Sequence, residues 1–503
     1  MVNTYSTDLA ELATWQVFCV VASLSLFASW LFKVAYGTDV PKIKGIPELP
    51  KAIPFYGHLK FLGSDHPSAF QEFYRENKYE VLQAKLGNRR ILVVNSYEAA
   101  QDFFVRNASA TIDRPLFYTF HSVVSKTQGG TVGTAPWNES TKRMRTAIGA
   151  LMTRPAIQRS APMLDIETSA LVNDIFACAA HGASEVDPRI FFQRQALNLT
   201  LMWCYARSVS SARTKIALND RTVRDDWLNE LFQKVVDAVS AGRKSDCISA
   251  GLLKDTSGTK LTEAEIKSIN VSFVSGGFET LATSANACIS WLSTDEGQLM
   301  QEKAFQDILK HHGSTEAAWD ECVLEEKSPY VIALVREGLR YYCPIPLLPP
   351  RQTMKPFTWR GIEIPKGLTV HINTQSVNHD AVCYGPDAHL FRPERWLEDG
   401  IHTVKQPGPP YQYSYGAGSR MCPAVAISNR LLYATYVRLI VHFHIKASID
   451  ALPNVDYIHF NEDRSVQSAL SKRFKIKLER RRYVTSLEMC IERSRKATRG
   501  LYE

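Results

Sequence analysis

The 503-residue chain lacks the local patterns by which many enzymes hold nucleotides or metals. It has no GxxxxGK[ST] loop, which removes a Walker A phosphate site, and no HExxH helix, which removes that zinc centre. Gly416-Ala-Gly418 lacks the third glycine and the βαβ setting of a dinucleotide loop, so no nicotinamide or flavin is expected on this chain itself. The ten cysteines include no CxxC pair and no dense spacing, which excludes a disulfide scaffold and fits a reducing compartment. No repeat, low-complexity insert or Pro/Gly-rich linker divides the body, so one large domain is expected where length alone would allow three. The charge excess is small, 59 Lys plus Arg against 51 Asp plus Glu, and is spread along the chain, which gives nucleic-acid binding no support. At 45% hydrophobic and 22% charged residues, disordered, collagen-like and coiled-coil classes are excluded.

What is present begins with Leu12 to Phe32, a run of 21 residues without a charge. It is long enough to cross a ~30 Å hydrocarbon core as one helix, with Trp15 and Trp30 near its ends. Asp8 and Glu11 precede it, and Lys33, Lys42, Lys44 and Lys51 follow, so the positive-inside bias places everything after Lys33 in the cytosol. A cleaved signal peptide is disfavoured because no positive region precedes the run and no small-x-small site follows. The expected organisation is a short luminal segment over 1–11, a transmembrane helix over 12–32, a proline-rich connector over 33–54 and a globular body over 55–503 ending in a basic tail. The body reads as mainly α with a small β region, strand-like at Arg90 to Val94 and turn-rich from Thr358 to Ile372. Arg480, Arg481, Arg482, Arg493, Arg495 and Lys496 of the tail read as a solvated basic face.

The informative stretch is Tyr415-Gly-Ala-Gly-Ser-Arg-Met-Cys-Pro-Ala424. Gly416 and Gly418 permit close backbone approach to something flat and bring Cys422 beside it. The apolar spacing of Val425, Leu431, Leu432, Leu439 and Ile440 starts a helix whose N-terminal amides favour a thiolate at Cys422. Such a thiolate suits an axial iron ligand, with Arg420 available to a haem propionate. Thr262-Glu-Ala-Glu265 is a capping box opening a helical pattern to about Leu292, interrupted by Gly276-Gly277. Two mid-helix glycines cost ~1 kcal/mol each, which points to close approach of a ligand or to a bulge.

The Cys422 segment resembles the haem loop of the cytochromes P450, F-G-x-G-x-R-x-C-x-G, with Tyr415 and Ala424 as departures. Three further motifs follow that resemblance in the same order. Glu337-Gly-Leu-Arg340 and Phe391-Arg-Pro-Glu-Arg-Trp396 imply the family's buried triad of Glu337, Arg340 and Arg395. Gly-Gly-Phe-Glu279-Thr280 resembles its oxygen-activation motif, with Glu279 and Thr280 delivering protons. Trp137 stands where the family places a propionate donor; its usual arginine four residues on is Thr141 here, leaving Lys142 or Arg143 as substitutes or as reductase contacts. Arg351 falls where the family places another propionate partner.

The implied fold is the cytochrome P450 fold, and the implied cofactor is haem b. Electrons from NADPH would arrive through a separate flavoprotein reductase, and one oxygen atom of O2 would enter the substrate. The implied location is the endoplasmic reticulum membrane, single-pass, with the haem domain in the cytosol. Thr38-Asp-Val-Pro through Pro50, Pro-Phe-Tyr-Gly-His-Leu59 and the Trp137 segment further resemble the fungal phenylacetate and hydroxyphenylacetate hydroxylase branch, implying oxidation of an aromatic ring or of a carbon attached to one. A tailoring oxidase of secondary metabolism acting on a larger substrate, and a haem-thiolate isomerase or dehydratase that needs no reductase, are the competing readings. Expected pocket residues are Phe117, Tyr118, Phe120 and His121, with Phe278 above the haem and Leu347 and Leu348 before Arg351. Arg114 or His121 would serve a carboxylate on the substrate. Asn107, Asn138, Asn198 and Asn270 each open an N-x-S/T sequon, so glycan at any of them would reverse the orientation.

Overall fold

The capping box at Thr262 forms as the sequence dictates. The Glu265 N–H donates to Thr262 Oγ1 at 3.2 Å, the Thr262 N–H donates to Glu265 Oε2 at 2.9 Å, and a 30-residue helix, Glu263–Leu292, follows without a break. At 1.5 Å per residue it is about 45 Å long, enough to cross the whole body. The computed structural model describes residues 4–117, 131–207, 221–243, 247–254, 261–397 and 411–500. Its elements in chain order are α1 (Thr4–Tyr36), α2 (His66–Asn77), β1 (Val81–Leu86), β2 (Arg89–Val94), α3 (Glu139–Leu151), α4 (Ala161–Cys178), α5 (Arg189–Tyr205) and the long α6 (Glu263–Leu292). After them come α7 (Asp295–His312), α8 (Thr315–Glu321), α9 (Pro329–Tyr342), β3 (Arg351–Gln352), β4 (Phe357–Trp359), β5 (Ile362–Ile364) and β6 (Thr369–Ile372). The chain closes with α10 (Val425–His442), β7 (Phe443–Ala447), β8 (Ile476–Arg480) and α11 (Leu487–Ala497).

Helices dominate, and the strands make a four-stranded sheet in the order β1-β2-β6-β3 and two hairpins, β4-β5 and β7-β8. In the sheet, β2 runs parallel to β6 with Val94 opposite Ile372, and β3 runs antiparallel to β6 with Arg351 opposite Val370. The largest apolar core lies between α4, α5, α6, α9 and α10, where Leu171, Ile175, Ile289, Val331, Leu334 and Ile440 are fully buried. The sheet and the Cys422 loop share a second core around Phe103, Phe104, Val370 and Tyr413.

The first helix contains the expected 12–32 span, and one boundary differs from expectation. The N-terminal helix runs from Thr4 to Tyr36, beyond both ends of the 12–32 span, and within it Trp15–Tyr36 is long and apolar enough to cross a membrane, with a mean hydropathy of 2.0. The connector is no spacer. Pro41, Pro47 and Pro50 keep it extended, and its freed backbone groups pair with the edge of β1: the Leu49 N–H donates to Gln83 O at 3.0 Å and the Gln83 N–H to Pro47 O at 2.8 Å. The Gln83 side chain donates to Ile43 O and Ile46 O, and Val40, Ile43, Ile46 and Leu49 are buried. The body therefore begins near Thr38, not at Phe55.

The basic tail is a solvated face at Arg480, Arg482, Arg495 and Lys496, and Arg481 departs from it. Arg481 is buried, donates to Ile440 O at 2.8 Å and pairs with Glu302 at 2.8 Å. Arg480 pairs with Glu488, and Arg493 with Glu316 and Asp320. The α11 helix is tied inward through Ser494, which accepts from Trp319 Nε1 at 2.9 Å and donates to Asp165 Oδ1 at 2.7 Å.

Candidate active site

The loop before α10 turns on two glycines. Gly416 has φ +73° and Gly418 has φ +57°, both in the left-handed region. A side chain at Gly418 would stand 2.0 Å from the Phe104 carbonyl oxygen. The turn ends with the Cys422 N–H donating to Tyr415 O at 2.8 Å, three residues before α10 starts. Burial pushes the Cys422 thiol up from its ordinary value, while the Ala424 N–H and the Arg145 guanidinium work in the other direction. The amide therefore favours the thiolate as expected, but burial outweighs it in the protein alone, and a cation bound to the sulfur would hold it deprotonated. The Tyr415 hydroxyl finds its partner away from the sulfur, donating to Asn429 Oδ1 on α10 at 2.7 Å.

Cys422 opens onto a cavity of about 510 Å³. Among its described lining residues are four arginines, Arg114, Arg145, Arg351 and Arg420, and no carboxylate. Arg351 donates to Ala417 O at 2.5 Å, Arg420 to Ala135 O at 2.6 Å, Arg145 to Met421 O at 2.9 Å and Arg114 to Pro350 O at 2.7 Å. Those carbonyls do not exhaust the donors. Arg114 Nε, Arg351 Nη1 and both Nε and Nη1 of Arg420 are buried with no hydrogen-bond partner. Burial first, and then mutual repulsion, pulls Arg114, Arg351 and Arg420 down to about 9. Unpaired buried cations at this density call for anions on a bound group. Two carboxylates on a flat ring system that places iron against Cys422 match this donor set, so the residues present fit haem.

The opposite wall of the cavity comes from α5 and α6. Leu199, Thr200 and Trp203 face Val271, Phe273, Gly276, Gly277, Thr280 and Leu281. The two glycines do not break α6. Gly277 lets α5 approach, since a Cβ there would lie 2.8 Å from Thr200 Cγ2, whereas a Cβ at Gly276 would meet nothing within 4 Å. The Thr280 hydroxyl lies at the cavity and donates to Gly276 O at 2.7 Å. Its neighbour Glu279 is exposed and does not line the cavity.

Other expected residues fall elsewhere. Phe278 packs into the helical core and does not line the cavity; Phe273, one and a half turns earlier, does. Leu348 lines the cavity, but Leu347 points the other way, into a second pocket, because adjacent residues in extended backbone face opposite sides. Phe117 lies outside the cavity with Arg89 over its ring at 5.5 Å. Tyr118, Phe120 and His121 lie outside the described residues. Arg114, offered for a substrate carboxylate, instead joins the cationic set around Arg351 and Arg420.

The segment around Trp137 carries a correction of register. Trp137 does not line the cavity; it lies before α3, under the Arg420 guanidinium at 5.8 Å, with its backbone N–H donating to Asp113 Oδ1 at 2.7 Å. Lys142 is exposed, and Arg143 pairs with Glu265 at 2.6 Å. The arginine that reaches the cavity is Arg145, four residues after the buried Thr141. Counting the four-residue step from Trp137 missed it by one turn; a step from Thr141 finds it.

Glu337, Arg340 and Arg395 meet in the interior behind the loop. Arg340 grips Glu337 through Nε at 2.8 Å and Nη2 at 2.7 Å, Arg395 Nε donates to Glu337 Oε1 at 3.0 Å, and Trp396 Nε1 adds a bond to Oε2 at 2.9 Å. Burial opposes the charge on Glu337, but the two arginines outweigh it and hold the carboxyl below its ordinary range. Arg340 also donates to Asn378 O and Ala388 O, so the triad staples α9 to the segment leading to the cysteine loop.

The chain is similar to several known proteins. The chain is 35% identical to phenylacetate 2-hydroxylase of Emericella nidulans, covering 87% of this chain and 91% of that protein. It is 30% identical to 3-hydroxyphenylacetate 6-hydroxylase of the same fungus, over 89% and 91% of the two chains. It is also 30% identical to the cytochrome P450 monooxygenase CYP3 of Mycosarcoma maydis, over 85% and 86%. Among solved structures, a zebrafish cytochrome P450 bound to abiraterone superposes with a TM-score of 0.66 at 19% identity, covering 82% of this chain and 99% of that one, which is a likeness of fold. The cytochrome P450 family pattern matches residues 47–220 and 213–457. With its cysteine loop, cationic cradle and buried triad in place, the chain belongs to the cytochrome P450 family and is a P450 monooxygenase.

Proposed function

We propose that this monooxygenase hydroxylates an aromatic ring, or a carbon attached to one, in a small molecule. The observation that carries the reading is the cavity wall facing Cys422, where Trp203 and Phe273 present aromatic surface and Thr280 a hydroxyl. The two relatives whose names print phenylacetate and hydroxyphenylacetate point to the same class. Haem bound here would supply one-electron and dioxygen chemistry. Cys422 would hold its iron through the sulfur, and Arg114, Arg145, Arg351 and Arg420 would hold its propionates. Thr280, turned from the Gly276 carbonyl, would pass protons into the cavity, and the exposed Glu279 would collect them from solvent. The Val271, Leu281, Leu348 and Ile372 side chains keep bulk water from the reacting face. Electrons would come from NADPH through a separate flavoprotein reductase, and α1 would hold the body on the cytosolic face of the endoplasmic reticulum.

The test is product mass spectrometry on membranes carrying the protein and a reductase, supplied with NADPH and with phenylacetate, 3-hydroxyphenylacetate and larger aromatic metabolites. A product 16 mass units heavier, labelled by 18O2, supports the reading. Rearranged or dehydrated products formed without NADPH would replace it with the isomerase class.

A further inference from the structure

A second cavity of about 320 Å³ lies beside the first. The partition between them is the segment after α9 together with β6. Ile345, Leu348 and Ile372 line the haem cavity, and Pro346, Leu347 and His371 line the outer one. Among the described residues, Gln467 alone lines both. It is exposed and sits near the tip of a hairpin-like excursion whose base is pinned: Asn461 bridges Ser471, the Glu462 N–H donates to Leu470 O at 2.8 Å, and the Ala469 N–H to Pro344 O at 2.9 Å. The tip is not pinned. Among the described residues, the hydrogen bond or ion pair that leaves 463–468 is Arg464 Nη1 to Asp65 Oδ2 at 2.9 Å, at the start of α2. Other bonds at the tip stay within the excursion, from Ser465 to Asp463 and from Asp463 to Asn461.

We propose that the outer chamber is the route by which bulky aromatic ligands reach the haem cavity, with Gln467 as its threshold and the Asp65–Arg464 ion pair as the latch of a flap made by residues 463–468. The latch is a single ion pair whose Arg464 end is 43% exposed and whose Asp65 end is 19% exposed, so little holds the flap shut, and it opens and closes over a seated ligand. The chamber offers Tyr457 and Phe460 rings alongside His66, Gln375 and Asn461, a mixed lining suited to an aromatic ring with one polar end.

The experiment uses the haem-loaded enzyme and follows ligation by the Soret shift in stopped flow, with imidazole as the small probe and 4-phenylimidazole as the bulky one. In Asp65→Asn, which keeps an Asx cap for the Ser68 N–H, and in Arg464→Gln, association and dissociation of 4-phenylimidazole should quicken together, about two- to fivefold, with Kd unchanged. Gln467→Trp should slow the bulky probe at least tenfold and leave imidazole unaffected. Unchanged 4-phenylimidazole rates in all three variants, or equal slowing of both probes in Gln467→Trp, would overturn the route. Because the readout is ligation and not turnover, failure of the aromatic-hydroxylase reading leaves this test intact.

Discussion

Gly418 shows how one missing methyl holds the site open. Its φ of +57° and the 2.0 Å gap to the Phe104 carbonyl mean that any side chain must displace the backbone of a neighbouring segment. Gly418→Ala is expected to cost at least about 2 kcal/mol and to yield protein poor in haem, read by pyridine haemochromogen against total protein. His442 gives a second residue-scale expectation. Burial first, and then Arg438 and Arg480, lower it from an ordinary 6.5 to about 4, against an opposing pull from Glu488. The unfolded chain therefore binds the extra proton between pH 6.5 and 4, so stability is full above that window and falls as the pH drops through it. Replacing His442 by Phe, which keeps a ring against Trp319, should remove roughly 2 kcal/mol of the stability loss between pH 7 and pH 5, measured by urea unfolding. The Cys422 loop and the triad were legible at this scale because each motif is local and chemically constrained. Arg145 was not, since its place depends on which turn of α3 meets the cavity, and that follows from helix register against α6.

At the scale of elements, α5 and α6 pack as closely as they do because Gly277 is bare. Gly277→Ala would improve helix propensity by ~1 kcal/mol yet press its Cβ to 2.8 Å from Thr200 Cγ2, for a net loss of about 1–2 kcal/mol. Thr200→Ser removes that methyl while a hydroxyl remains to donate to Leu197 O, so the double variant should regain the wild-type melting temperature of the haem-loaded enzyme. A double variant no more stable than Gly277→Ala alone would show that the cost lies elsewhere. The helix itself was written in its capping box, a contiguous four-residue signal. The extended connector was misjudged as a tether because its prolines announce only the absence of helix. What its backbone pairs with is the edge of β1, some 35 residues further along the chain, and no local pattern encodes that partner.

Across the whole molecule, α1 and the body form a joined unit. The carbonyl of Ala35 accepts from the Phe55 N–H and from the buried Lys85 Nζ, each at 2.9 Å, and Lys85 also lies over the Tyr36 ring, so α1 meets the body at a fixed point. The orientation proposed for α1 would then hold for the entire chain, and the sequons test it unevenly. Asn198 and Asn270 are buried in α5 and α6, and neither is open to glycosylation in the folded protein on either side of the membrane. Asn107 and Asn138 lie nearer the surface, although Asn138 also caps α3 by accepting from the Thr141 N–H at 2.8 Å. With the positive-inside orientation, both stay unmodified, and endoglycosidase treatment of the expressed protein causes no shift on a gel. A sequon placed on an N-terminal extension ahead of Thr4 should instead acquire a glycan. Modification of Asn107 or Asn138 without modification of that added site would put the body in the lumen, where a reductase on the cytosolic face could not reach it.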